Sequence, residues 1–103
     1  MERGELIGEV VGSDRFGNLV TSVTLERLTE LDSALAVSVV VAGREIGGLV
    51  RSYSQGPEGV PAAIIGSSDR LEVFVRNGDA RAACGAHRGT PVRVAMARSG
   101  AAR

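Results

Sequence analysis

Leu6-Ile7-Gly8-Glu9-Val10-Val11-Gly12-Ser13-Asp14-Arg15-Phe16-Gly17-Asn18-Leu19-Val20-Thr21-Ser22-Val23-Thr24 is the stretch that decides how this chain folds. Two short β-branched runs, Leu6 to Val11 and Leu19 to Thr24, flank a segment too rich in turn-forming residues to prolong either of them. The pattern predicts two strands joined by an elaborate hairpin loop. Working outward, Leu25, Leu28 and Leu31 recur at a three-residue spacing that predicts one or two helical turns, ended by Asp32-Ser33. Residues 35–42 hold Val37, Val39, Val40 and Val41, a run suited to a buried strand, and Gly43-Arg44-Glu45 is expected to turn the chain. A further strand is expected from Ile46 to Tyr53, with a bulge or close backbone approach at Gly47-Gly48. Gln55 to Gly59 reads as a loop, and Ala62 to Ile65 and Leu71 to Val75 flank Gly66-Ser67-Ser68-Asp69-Arg70 as a second strand-turn-strand unit.

The alanine-rich stretch from Asp79 to Gly85 predicts a short helix, capped by Asn77 or Asp79 and stopped by Gly85. Pro91 to Met96 supplies a last strand, and residues 98–103 are expected to form a disordered tail. About seven short strands, one or two short helices and frequent turns predict a mostly β fold. The expected architecture is a small antiparallel β-barrel, closed or nearly so, forming a single domain over residues 1–97.

The composition narrows the function. With 103 residues, 44% of them hydrophobic, the chain has material for one modest core. Twelve basic and twelve acidic side chains cancel, and two phenylalanines and one tyrosine are the whole aromatic complement, which argues against a nucleic-acid partner. No long apolar run suggests a membrane span, and the charged start Met1-Glu2-Arg3-Gly4-Glu5 is unlike a signal peptide, so a cytoplasmic location is expected. The single cysteine, Cys84, has no partner for an internal disulfide and reads as buried filler in a helical turn. His87, in the turn before Arg88-Gly89-Thr90, lacks neighbours at ligand spacing, so neither a metal site nor a catalytic triad is expected.

Three segments carry polar or aromatic residues that strand pairing does not require. In Asp14 to Thr21, a purely structural role would have Asp14 start a turn, Gly17 and Asn18 supply positive φ, and Phe16 tuck into the core. The chemical alternative is that the Asn18 amide, donor and acceptor in one group, pairs with an adenine edge while Phe16 supplies apolar wall. Tyr53, at a junction of strand and loop, either packs on an edge strand or stacks on a base, an interaction worth roughly 1–3 kcal/mol at nucleic-acid sites. In Ser67 to Glu72 and Val75 to Gly78, the serines either bond their own turn and the arginines stay solvated, or the same residues border a ligand.

Taken together, these segments resemble the C-terminal domain of the S-adenosylmethionine (SAM) hydroxide adenosyltransferase family, which is similar in fold to the fluorinases and chlorinases. The resemblance rests on Gly8-Glu9-Val10-Val11 with Asp14-Arg15-Phe16-Gly17-Asn18-Leu19-Val20-Thr21. It continues through Tyr53, Ser67-Ser68, Leu71-Glu72 and Asn77-Gly78-Asp79-Ala80, and closes on Gly85 and Gly89-Thr90-Pro91-Val92. It implies a two-domain enzyme that attacks the 5′ carbon of SAM with water, releasing adenosine and methionine, with SAM as substrate and no cofactor. It also implies that the β domain reads adenine in a site shared between subunits of a homotrimer. Asn18 would then meet the adenine edge beside Phe16, and Tyr53 would stack on the base. Ser68 would lie near the methionine carboxylate, and Arg76 and the Gly78 backbone would border the purine.

The catalytic residues of the family belong to an N-terminal domain that the resemblance does not find in this sequence, so that domain is the expected partner and the chain alone is expected to be inactive. Ser22 and Gly66 stand where the family usually has asparagine, and Asp69 falls where the halogenases have arginine, which argues against halide transfer. The alternatives are a structural or interaction barrel in which the same residues only hold loops, and a truncated remnant of the enzyme.

Overall fold

The structure, a computed structural model, describes residues 5–29, 37–46 and 49–96. β1 (Leu6–Ser13) and β2 (Leu19–Thr24) form the expected hairpin, with β1 reaching two residues beyond the apolar run. Their register shifts by one residue between Val10 and Gly12, a bulge that bends β1 just before the loop. β2 alternates strictly, with Leu19, Thr21 and Val23 buried. Thr21 is fully buried, and its hydroxyl donates to the Leu71 carbonyl at 2.8 Å and accepts from the Val23 amide at 3.2 Å. These bonds sit where the ladder between β2 and β6 (Arg70–Val75) loses register, between Val20 and Thr24. A hydroxyl there replaces ladder bonds that the backbone cannot make.

The seven strands, adding β3 (Val37–Val41), β4 (Arg44–Glu45), β5 (Pro61–Ile65) and β7 (Pro91–Met96), lie in the order β4-β3-β7-β1-β2-β6-β5, every ladder antiparallel. The sheet curls into a half-barrel around Val10, Leu19, Val39, Leu71, Val73, Val92 and Val94. Two short helices plug its ends. In α1 (Leu25–Leu28) the Thr24 hydroxyl caps the Arg27 amide and Leu28 enters the core. In α2 (Ala80–Cys84), Asp79 caps the Ala82 amide at 3.0 Å, Ala80 and Cys84 face inward, and Gly85 ends the helix at φ 63°. Cys84 is buried, and that burial raises its thiol pKa.

Two expectations fail. The turn after β3 falls on Ala42 (φ 54°) and Gly43 (φ 78°), earlier than expected, so Arg44 and Glu45 pair back onto Val41 and Val40. Positive φ at both central residues is what a tight two-residue hairpin needs, and it frees the next two residues to form a strand. Among the described residues, the strand expected from Ile46 to Tyr53 does not form. Leu49 makes one parallel bridge to Ala63, and Tyr53–Gln55 wind a single 3-10 turn. Val50 is half-buried because it covers Ala62, Ile64 and Phe74 on the outer face of β5 and β6, a second small cluster. The helix end near Leu31, the strand start at residues 35–36, the irregularity at Gly47-Gly48 and the tail at 98–103 lie outside the described residues.

Candidate functional site

Strand register places three loops at one end of the half-barrel. Leu19 pairs with Val73 and Pro61 with Val75, so the β1–β2 loop, the segment before β5 and the residues after β6 adjoin one another. Asn18, Phe16, Arg76 and Gly78 all lie on these loops.

Asp14 organises the first loop. Its Oδ1 accepts from the amides of Phe16 (2.9 Å) and Asn18 (3.0 Å), and its Oδ2 accepts from Nδ2 of Asn18 at 3.1 Å. Gly17 (φ 82°) supplies the positive φ, while Asn18 does not share it, and a Cβ on Gly17 would collide with the Asp79 carboxylate. The Gly17 carbonyl also accepts from the Arg81 amide at 2.9 Å, which pins the loop to α2. Phe16 does not tuck into the core. It is 68% exposed, with the Arg15 guanidinium 5.6 Å over its ring.

Tyr53 is set by the segment that crosses β5 and β6. Its ring meets Phe74 edge-on, with centroids 4.9 Å apart at 74°, and it remains 47% exposed. Gly56 permits this approach, because a Cβ there would come within 2.7 Å of the Phe74 ring. Arg76 Nη1 donates to the Gly56 carbonyl at 3.1 Å, and Asn77 Nδ2 donates to Glu58 at 3.1 Å, so the Tyr53 segment is fastened to the end of β6. The Glu72 carboxyl lies near enough to the Tyr53 hydroxyl for each to act on the other's ionisation. Burial first, then the Glu72 and Asp14 carboxylates, raise its pKa. Burial and then Asp14 raise the Glu72 pKa, and the tyrosine bond partly offsets this.

Asp14 therefore holds the Asn18 amide and also lies near enough to Glu72 and Tyr53 to act on both. Asn18, Phe16, Arg76 and Gly78 thus lie on adjoining loops at one end of the half-barrel, and Arg76 fastens the Tyr53 segment there. Ser68 does not join them. It is exposed in the turn at the other end of the β5–β6 hairpin, where the Asp69 amide closes on the Gly66 carbonyl at 3.0 Å. Roughly 3.3 Å per strand residue separates that turn from the Val75 end.

The three departures from the family pattern have local causes. The Ser22 hydroxyl accepts from the Glu9 amide at 3.0 Å at the β1 bulge. Gly66 leaves room for the Glu72 carboxylate, which occupies the place of a Cβ. Asp69 sits at φ 62°, a conformation Asp tolerates better than most residues.

Sequence reasoning gave no role to Glu72 or Phe74 and treated Asp14 only as a turn former. The spacing of Asp14 to Phe16 and Asn18 is a signature of side-chain-to-backbone turn bonding and was open to reading. Nothing local to Glu72 signals a partner 19 positions away at Tyr53. Among the described residues no group of His, Cys, Asp and Glu is placed to hold a metal, and no helix is long and apolar enough to cross a membrane.

Fold and surface define a class: a small antiparallel half-barrel that gathers amide, aromatic and guanidinium groups on the loops at one end. Within that class, the family described as the SAM hydroxide adenosyltransferase C-terminal domain matches residues 8–93, and the chain belongs to it. It is 40% identical over 87 residues to an (R)-S-adenosyl-L-methionine hydrolase of Thermus thermophilus, covering 84% of this chain and 31% of that protein. The chain thus spans about a third of the length of that relative. A conserved hypothetical protein of Thermus thermophilus superposes with a TM-score of 0.68 at 40% identity, over 91% of this chain and 36% of the other. An uncharacterized conserved protein of Thermotoga maritima superposes with a TM-score of 0.76 at 25% identity, over 93% and 38%.

Proposed function

We propose that this chain is the adenosyl-recognising part of an enzyme that hydrolyses SAM to adenosine and methionine. The observation that carries the reading is the Asn18 amide. One of its N–H groups donates to Asp14 at 3.1 Å, which fixes its plane and leaves Oδ1 and the second N–H for a ligand. An adenine edge presents an amino donor beside a ring-nitrogen acceptor, the complement of that remaining pair. Tyr53, propped by Phe74 and Glu72, offers a ring face to the base, with Arg76 and Gly78 at the border of the purine.

SAM carries a methionine carboxylate that adenosine lacks, and Ser68, at the far end of the β5–β6 hairpin, is taken as its contact, so adenosine and SAM are expected to differ in which residues they use. This chain's part in the reaction is to bind and orient. Holding adenine fixes the ribose and its 5′ carbon, where water forms the new C–O bond and releases one proton to solvent as the C–S bond breaks and methionine leaves with the electron pair. The water-positioning groups are assigned to the family's N-terminal domain, with the site shared in a homotrimer. Exposure of Phe16 and Tyr53 supports this, since a half-site leaves its aromatics open until the other half covers them.

Calorimetry with adenosine and with SAM, on this chain alone and then mixed with a family N-terminal domain, tests the proposal. Asn18→Ala and Tyr53→Ala are each expected to weaken adenosine binding by about tenfold, whereas Tyr53→Phe keeps the stacking face. Ser68→Ala is expected to weaken SAM but not adenosine. If the mixture binds nothing that carries an adenosyl group, or if the variants lower the melting temperature with unchanged affinity, the chain is a structural barrel instead.

A further inference from the structure

A cleft opens beside the loop that Asp14 organises. It measures about 130 Å³ and is lined by Val10, Gly12, Ser13, Leu19, Arg81, His87 and Arg88. It lies at the β1 bulge, where the register shifts between Val10 and Gly12, and the Gly89 amide bonds the Val10 carbonyl at 2.7 Å and the Val10 amide the Thr90 carbonyl at 2.9 Å. His87, remote in sequence from the hairpin motif, is thereby brought beside Ser13 and Leu19.

The charge here is unbalanced although the chain as a whole is neutral. Arg81 and Arg88 bring two permanent positive charges, and no carboxylate lines the cleft. Among the described residues no acidic side chain pairs with either guanidinium. The floor is apolar, formed by Val10 and Leu19, both buried in the core. An apolar floor lowers the local dielectric and strengthens the attraction of an anion to the guanidinium groups above it.

We propose that this cleft binds a small tetrahedral oxyanion of phosphate type. At about 130 Å³ the cleft has ample room for one such anion. Ser13, Arg81 and Arg88 line the cleft from three separate segments, and a hydroxyl with two guanidinium groups offers more donors than the flat pair of oxygens of a carboxylate can use. His87 Nδ1 lies 3.0 Å from its neighbour's carbonyl at Arg88. Donation to that carbonyl leaves Nε2 of the neutral ring as an acceptor, matched by the remaining hydroxyl of hydrogen phosphate. The source of the anion is either free phosphate or the phosphoryl group of a small monoester.

Amide NMR titration of the whole chain with inorganic phosphate, at constant ionic strength balanced by chloride, tests this. Shifts confined to Gly12, Ser13 and residues 87–89, saturating with phosphate, support the site, and the same shifts with chloride alone overturn it. Arg81→Gln and Arg88→Gln are each expected to weaken phosphate about tenfold. Arg93→Gln, at the arginine that pairs with Glu5 at 3.1 Å on β7, is expected to change nothing. Wild-type affinity in both cleft variants, with melting temperatures unchanged, overturns the assignment. Methyl phosphate separates the sources: binding as tight as inorganic phosphate marks a monoester site, and phosphate without methyl phosphate marks a free-anion site. Failure of both overturns the proposal and leaves the adenosyl reading untouched.

Discussion

Replacing Asp14 by alanine removes three hydrogen bonds from the loop that carries Asn18. Two of them, to the Phe16 and Asn18 amides, hold the loop shape, and the third orients the Asn18 side chain. All three are solvent-exposed, so each contributes toward the low end of the usual range, about 0.5 kcal/mol. Their sum is near 1.5 kcal/mol. Loss of the carboxylate also relieves its repulsion of Glu72, which returns a few tenths of a kcal/mol at an exposed site. The net cost is about 1 kcal/mol, a fall in melting temperature of roughly 4–8 °C for a domain of this size. Asp14→Asn separates the two roles. Its remaining carbonyl oxygen still accepts from the backbone amides, while its NH2 group faces the Asn18 NH2 and cannot accept from it. Asp14→Asn is therefore expected to keep most of the stability and to lose the orientation of Asn18, read from the side-chain NH2 resonances of Asn18 and from adenosine affinity. The Glu72 carboxyl, followed by carbon NMR, is expected to titrate lower in both variants that remove the Asp14 charge. If Asp14→Ala melts with the wild type and the Asn18 side-chain resonances do not move, Asp14 does not orient the amide and the argument for adenine recognition loses its support.

Two further substitutions probe the rest of the framework. Glu72 has a folded-state pKa raised above its ordinary 4.5, so its stabilising contribution is complete below that value and is lost as pH rises through the folded pKa. Glu72→Gln keeps an acceptor for the Tyr53 hydroxyl and cannot ionise. Melting curves from acid to neutral pH should show it gaining on the wild type by a few tenths of a kcal/mol as pH rises, and a gain in the opposite direction contradicts the assignment. Thr21→Val preserves shape but removes the hydroxyl that satisfies the Leu71 carbonyl and the Val23 amide in the core. Urea unfolding should show a loss of about 1–3 kcal/mol, with Thr21→Ser close to wild type; equal stability of Thr21→Val would mean that the β2–β6 irregularity satisfies itself.

Much of the fold was legible because it is locally encoded. The alternation of Leu19, Thr21 and Val23, the cap at Asp79 and the stop at Gly85 each follow from side chains within a few residues of one another. The hairpin after β3 was misplaced because Ala42 is an unusual residue for positive φ, and its conformation is imposed by pairing of Arg44 and Glu45 onto β3. The expected strand ending at Tyr53 failed for a related reason: Leu49 is partly buried against the main core and Val50 against the outer face of β5 and β6, and a hydrophobic run does not reveal which kind of burial it will find.

The candidate site divides the same way. By itself the sequence determined which side chains were available, that Gly17 would take positive φ, and that Asp14 would draw a turn around it, since all of this depends on chemistry within one loop. Only the tertiary structure decided that Tyr53 leans on Phe74 and Glu72, that Arg76 fastens the Tyr53 segment, and that His87 meets Ser13 across a cleft. Those pairings depend on strand register and on a one-residue bulge, and a shift of one residue turns a side chain from one face of a sheet to the other without changing any local preference.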